Sequence, residues 1–157
     1  MISLASTTFR KVLSFIIICL QNFILKFIFQ ANYILKDDEI LNLERPQYDT
    51  ILCLSVTKWI HLNFGDRGIK FLFQRIFKQL NSKGVFILEA QAYSTYKKRR
   101  NLTEETQTHF KNIKLFPDQF KTYLMGPEVG FSEYFEIGKT NHSCKGFNRL
   151  LQGFVKN

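Results

Sequence analysis

Glycine is missing from the first 64 residues; Gly65 is the first of eight. No glycine-rich turn can exist upstream of it. Cysteine is scarce. Cys19, Cys53 and Cys144 are widely spaced, with no CxxC or CxxH pair, which supports neither a zinc site nor a disulfide framework and leaves reduced thiols as the expectation. No apolar run reaches the roughly 20 residues that a membrane helix needs. The best candidate, "RKVLSFIIICLQNFILKFIFQ" at residues 10–30, is interrupted by Gln21, Asn22 and Lys26. Its basic flank and the apolar run at 12–20 have the form of a secretory leader, but no small-residue cleavage site follows. A buried helix and strand is the plainer expectation; membrane association through residues 12–29 is the alternative. Acidic residues are also few, 13 against 22 basic, for a net charge of +9. That imbalance points to an anionic partner, nucleic acid or a membrane surface.

What is present suits one globular domain. The chain has 157 residues, 45% hydrophobic and 22% charged, with 17 phenylalanines for an aromatic interior. Residues 32–47 are polar and loop-like, with one short helical pattern. "YDTILCLS" at 48–55 reads as a buried strand of the parallel kind. A loop is expected next, carrying Lys58, Trp59, His61, Gly65 and Gly68. "GIKFLFQRIFKQL" at 68–80 has an apolar helical face. "NSKG" at 81–84 ends that helix, with Gly84 suited to a left-handed turn. "VFILEA" at 85–90 is a second buried strand. Strand, helix, strand with short loops implies a parallel α/β sheet. Residues 102–113 open with a capping box at Thr103 and Thr106. "PDQFKTYLM" reads as a short helix, and "FSEYFEIGKT" and "FNRLLQGFVK" as late strands forming an antiparallel edge.

Ligands of open α/β sheets bind outside the carboxyl ends of the strands. The loop after residue 55 and "EAQAYSTYKKRR" at 89–100 share one such rim. The second stretch brings Glu89, Gln91, Tyr93, Tyr96 and four consecutive cations, Lys97, Lys98, Arg99 and Arg100. Rings interleaved with cations suit the end of a nucleic acid, stacking on bases and neutralising phosphates. Singly, each feature has a bland reading: a solvated charge run, a core tryptophan, a structural histidine. Their gathering at a ligand-binding edge is what distinguishes them.

"LCLSVTKWIHLNFGDRG", the strand ending in "LEAQAY", "LFPDQFKTYLMGPEVGFSEYF" and "SCKGFNR" resemble the methylphosphate capping enzymes, the bicoid-interacting type of RNA methyltransferase. The likeness runs from about Phe27 to the C-terminus. It implies a Rossmann-like class I S-adenosylmethionine-dependent methyltransferase fold. It implies methyl transfer from S-adenosylmethionine to the 5′-terminal phosphate of a small RNA. Asn32, Tyr33 and Leu54 inherit cofactor contacts. Lys58 and His61 inherit catalytic positions. Lys58, with His61 and Arg149, would hold the terminal phosphate, and residues 97–100 would bind RNA. Metal has no part. The implied partners are a small RNA 5′ end and RNA-binding proteins of a small ribonucleoprotein, with nuclear or cytoplasmic action.

The likeness is incomplete. The family's glycine-rich cofactor loop and ribose-binding acid have no counterpart, so the N-terminal cofactor-loop half is expected to be missing. Residues 1–29 read as a hydrophobic segment unlike the family, and 30–157 as the C-terminal part of the methyltransferase domain. An inactive remnant that binds RNA or protein through its basic rim is the alternative reading. Half a sheet would bare one flank of strand 48–55 unless residues 12–29 cover it.

Overall fold

The computed structural model describes residues 18–21, 25–28, 33–34, 38–139 and 149–157. Six strands form one sheet in the order β2-β1-β3-β4-β6-β5. They are β1 (Ile18–Gln21), β2 (Leu25–Ile28), β3 (Tyr48–Leu54), β4 (Leu80–Glu89), β5 (Glu133–Lys139) and β6 (Leu150–Val155). The helices are α1 (Thr57–Gln79), α2 (Glu104–Asn112) and α3 (Phe120–Met125), with single 3-10 turns at Asp38–Asn42, Tyr93–Lys98 and Pro117–Gln119.

At the centre, β3 and β4 run parallel, Ile51 beside Phe86 and Leu54 beside Glu89, joined by α1. This is the strand-helix-strand unit expected from the apolar runs. The β1–β2 hairpin lies antiparallel on the free flank of β3, Cys19 opposite Ile51. The flank that half a sheet would bare is thus paired. On the other side β6 runs antiparallel to β4 and β5 antiparallel to β6, as expected of an antiparallel edge. The β5–β6 register shifts between Glu136 and Gly138, leaving Ile137 in a bulge.

One face of the sheet buries its side chains. Ile51, Cys53, Phe86, Leu88 and Phe154 are shielded from solvent against Ile69, Phe73 and Ile76 of α1 and Phe120 of α3. Phe86 is the hub: its ring lies 6.1 Å from Phe73, 5.9 Å from Phe131 and 5.9 Å from Phe154. The aromatic interior implied by the phenylalanine count is this cluster. A second cluster, Leu62, Tyr96, Phe110 and Ile113, joins α1 to α2. Burial beside Glu89 pushes the Cys53 thiol up to about 12, so it is inert.

Three local readings need correction. Where residues 10–30 are described they form two strands, not a helix and a strand. Residues 57–64 are helical, not a loop; only Ser55 and Val56 separate β3 from α1. The polar residues Lys58, His61 and Asn63 masked the apolar positions Ile60, Leu62 and Phe64 around them. The helix is kinked at Gly65 (φ 61°, ψ −163°), a conformation essentially confined to glycine. At that kink the Leu62 carbonyl pairs with Nδ1 of His109, 3.0 Å away. At the helix end Leu80 is already extended, and Lys83, not Gly84, takes the left-handed conformation (φ 64°). "NSKG" is the start of β4 rather than a cap. The capping box at α2 forms as read, Thr103 and Thr106 each accepting from the other's backbone N–H at 3.1 and 3.0 Å.

Candidate RNA 5′-phosphate site

The rim at the carboxyl ends of β3 and β4 is cross-linked by side chains. Ser55, just past β3, adopts φ 60°. Its N–H donates to the Glu89 carbonyl at 3.1 Å, and its hydroxyl to the Glu89 carboxylate at 2.8 Å. Its carbonyl accepts from the Gln91 side-chain amide. All three of its polar groups are thus held by the end of β4, which explains how a non-glycine residue persists there. Arg149, entering β6, donates from Nη1 to the Glu89 carboxylate at 2.7 Å and to the Ser55 hydroxyl.

Gln91 continues the seam. Its buried side-chain oxygen accepts from the Thr57 hydroxyl at 3.0 Å and from the Lys58 N–H at 3.1 Å. Val56, the residue before the helix, supplies no side-chain cap.

Lys58 therefore starts in the first turn of α1, its ammonium 5.0 Å from the centre of the Trp59 ring. Partial burial, then the charges of Arg149 and Arg99, lower its pKa from the ordinary lysine value. Arg149, held on Ser55 and Glu89, and Lys58, three residues after Ser55, stand at the same rim. Glu89 compensates Arg149 there, and a bound anion would further favour the charged form of Lys58. Lys97, Lys98 and Arg99 are exposed, in and just after the 3-10 turn Tyr93–Lys98. Arg100 instead lays its guanidinium 5.2 Å from the Phe110 ring.

His61 is not on that surface. It is fully buried; Nδ1 lies 3.4 Å from the Tyr96 hydroxyl and Nε2 2.8 Å from the Asp66 carboxylate. The other Asp66 oxygen accepts from the N–H groups of Lys114 and Leu115 at 2.9 and 3.1 Å. With both ring nitrogens engaged, His61 offers nothing to a phosphate; it ties α1 to the segment after α2. Burial lowers its pKa, outweighing Asp66, whose hydrogen bond and charge raise it. Burial would raise the Asp66 carboxyl, but the hydrogen bonds from His61, Lys114 and Leu115 prevail and hold it below the usual carboxylate range.

A stability consequence follows. Above about pH 6.5 His61 is neutral in both folded and unfolded chains. Below it the unfolded chain takes up a proton that the folded chain refuses, so stability falls as pH drops. Thermal melts from pH 7 to pH 5 should show a falling midpoint, with a shallower slope in His61→Gln. Equal slopes in the two proteins would remove His61 as the cause.

Of the inherited cofactor contacts among the described residues, Leu54 lies at the rim, 38% exposed at the end of β3. Asn32 lies outside the described residues. Tyr33 is at the opposite end of the sheet. Its hydroxyl donates to Gln79 at 2.6 Å, its carbonyl accepts from Arg75 at 2.6 Å, and the Arg75 guanidinium lies 4.4 Å from its ring centre. Glu44 closes that group through Arg75 and Gln79. Among the described residues no group of three or more His, Cys, Asp or Glu could hold a metal, and no helix is long and apolar enough to cross a membrane.

The sequence pattern of this unit has a family. The model of Bicoid-interacting protein 3, Bin3, matches residues 48–156. The chain belongs to the Bin3 family. Among its relatives, the U6 snRNA methylphosphate capping enzyme Amus of Drosophila melanogaster is 50% identical over 126 residues, which is 80% of this chain and 42% of that protein. The 7SK snRNA methylphosphate capping enzyme of Mus musculus is 46% identical over 126 residues, 80% of this chain and 19% of that protein. An RNA 5′-monophosphate methyltransferase of Mus musculus is 34% identical over 83 residues, 49% of this chain and 27% of that one. This Bin3 chain thus spans less than half the length of these relatives. In structure, a SAM-dependent methyltransferase of Thermotoga maritima aligns with a TM-score of 0.47 and 14% identity, over 73% of this chain and 58% of that one.

Every rim residue of the seam falls within the Bin3 match. Sequence reasoning named Lys58, Arg149 and the basic run as candidates, and missed Ser55 as a strained anchor, Gln91 as a clasp and Asp66 as the partner of His61. No local signal marks the Ser55 and Gln91 pairs, 33 to 94 residues apart; Asp66, five residues after His61, was local but lay in a stretch expected to be a loop.

Proposed function

We propose that this chain supplies the phosphate-holding half of an RNA 5′-phosphate methyltransferase. The observation that carries this reading is the rim where β3 and β4 end, where Glu89 and Ser55 hold Arg149 and Gln91 holds the N–H of Lys58. The substrate is the 5′ end of a small RNA, whose terminal phosphate oxygen accepts a methyl group. S-adenosylmethionine is the methyl donor. The acceptor oxygen is already anionic near neutral pH, so the protein needs no strong base. Its task is to fix the phosphate and exclude water from it.

In this division of labour Lys58 contacts the terminal phosphate, Arg149 flanks it, and Lys97, Lys98 and Arg99 follow the RNA backbone. The Arg149–Glu89 pair fixes one guanidinium nitrogen before RNA arrives, which lowers the ordering cost of binding. The described residues do not by themselves fit the methyl donor. Of the described inherited contacts, Leu54 stands at the rim and Tyr33 at the far end, and residues 1–64 hold no glycine. The same misfit favours a second reading, a non-catalytic RNA-binding role of the basic rim. Protein partners of a small ribonucleoprotein and a nuclear or cytoplasmic setting belong to the same proposal.

The test compares one short RNA bearing a 5′-triphosphate or a 5′-hydroxyl. Wild type should prefer the phosphorylated end, and Lys58→Ala should abolish most of that preference, a loss of about tenfold for one charge-assisted contact. Replacing Lys97, Lys98 and Arg99 together by Ala should instead flatten the salt dependence for both RNAs. Equal binding of the two ends by wild type would refute terminal-phosphate recognition. Retained preference without methyl transfer would select the non-catalytic reading.

A further inference from the structure

We propose that Gln91 is a positioning residue, a helix cap supplied from a neighbouring strand end, which aims Lys58 at the terminal phosphate. The inference rests on the phosphate reading above and extends it to a residue that does not itself touch RNA.

A helix leaves its first N–H groups without partners inside the helix. They are usually satisfied by a Ser, Thr, Asp or Asn side chain at the residue before the helix. In α1 that residue is Val56, which has nothing to offer. The acceptor comes instead from Gln91, 33 residues on, to the N–H of Lys58 itself. The same oxygen takes the Thr57 hydroxyl, and the Gln91 amide nitrogen holds the Ser55 carbonyl. One side chain thus grips three consecutive features of the turn: the strained Ser55, the helix start, and the backbone of Lys58.

Gln91 is only 2% exposed, so its hydrogen bonds are not interchangeable with water. It follows Glu89 by two residues, and Glu89 holds Arg149. The backbone of Lys58 and the guanidinium of Arg149 are therefore both held by a single short stretch, Glu89 and Gln91. A simple core role would not need the amide to reach the one backbone N–H that belongs to the phosphate-binding lysine.

The experiment measures the ratio of affinities for 5′-triphosphate and 5′-hydroxyl forms of one short RNA. It uses wild type, Gln91→Met, Lys58→Ala and the double variant. Gln91→Met keeps the volume and removes all three hydrogen bonds. It should cut the ratio by about five- to tenfold, the worth of roughly one lost charge-assisted contact. Affinity for the 5′-hydroxyl RNA and its salt slope should stay within about twofold of wild type. In the Lys58→Ala background, Gln91→Met should change the ratio no further, because it acts through that lysine.

A purely structural Gln91 would lower the melting temperature and leave the ratio intact, which overturns the proposal. Additive losses in the double variant overturn it too. Should Gln91→Met fail to fold, Thr57→Val breaks one of the three bonds. It should reduce the ratio about two- to threefold, again only while Lys58 is present; an unchanged ratio there counts against Gln91. If wild type binds both ends equally, the phosphate reading itself falls and takes this role with it. If wild type discriminates and Gln91→Met discriminates as well, only the role of Gln91 falls.

Discussion

Phe86→Ala should cost about 3–5 kcal/mol of folding free energy, read as a lower urea midpoint at an unchanged slope. Phe86 is wholly buried in the middle of β4 and touches rings from α1, β6 and the segment before β5. Removing it leaves a void bounded by Phe73, Phe131 and Phe154, three stiff rings poorly able to close it. Domains of this size have only about 5–15 kcal/mol in reserve, so the variant should be marginal at best. A cost below about 1.5 kcal/mol would mean that the cluster is looser than these ring distances imply.

Gly65→Ala should be the other severe change, about 1–3 kcal/mol destabilising. In an ordinary helix the same substitution would stabilise by up to about 1 kcal/mol, so the sign decides the matter. The added methyl would meet the His109 ring at 3.4 Å, an ordinary contact. The penalty therefore comes from the backbone, held at φ 61° and ψ −163°. Urea unfolding gives the sign directly. A more stable variant would show that α1 can run straight and that the kink is optional. The kink divides α1 into a short segment carrying Lys58 and His61 and a longer one packed on the sheet. An altered kink should therefore also disturb the His61–Asp66 link.

The two predictions bear on how much could be read beforehand. Buried strands announced themselves, because β3 and β4 are short runs of Ile, Leu, Val and Phe between polar stretches. Their parallel pairing followed from the helix between them. The amphipathic second part of α1 was equally plain. Its first part was not, because Trp59, His61 and Asn63 are indifferent helix formers, and Gly65 and Gly68 suggested a turn. The helix holds there through Ile60 and Leu62, buried against different clusters, and through a cap from outside its own sequence. The candidate site was legible as residue types and a place, the rim beyond the strands. Its wiring was not legible. Glu89 meets Arg149 across 60 positions and Gln91 meets Ser55 across 36, distances at which only the folded chain says who meets whom. His61 shows the converse. Its company suggested chemistry, and its burial beside Tyr96 and Asp66 makes it a strut.

The bulge in β5 bears on self-association. β5 is the outermost strand on its side of the sheet, and it exposes Phe135 and Ile137 at 42% and 50%. A flat edge with such side chains would invite another molecule to add a strand. The register break at Glu136 and Gly138 denies an incoming strand a continuous row of partners, and glycine at φ 122° turns the backbone there. Glu133, Glu136 and Lys139, all exposed, add charges that an added strand would have to desolvate. The edge thus carries apolar side chains without offering the straight ladder on which fibres grow.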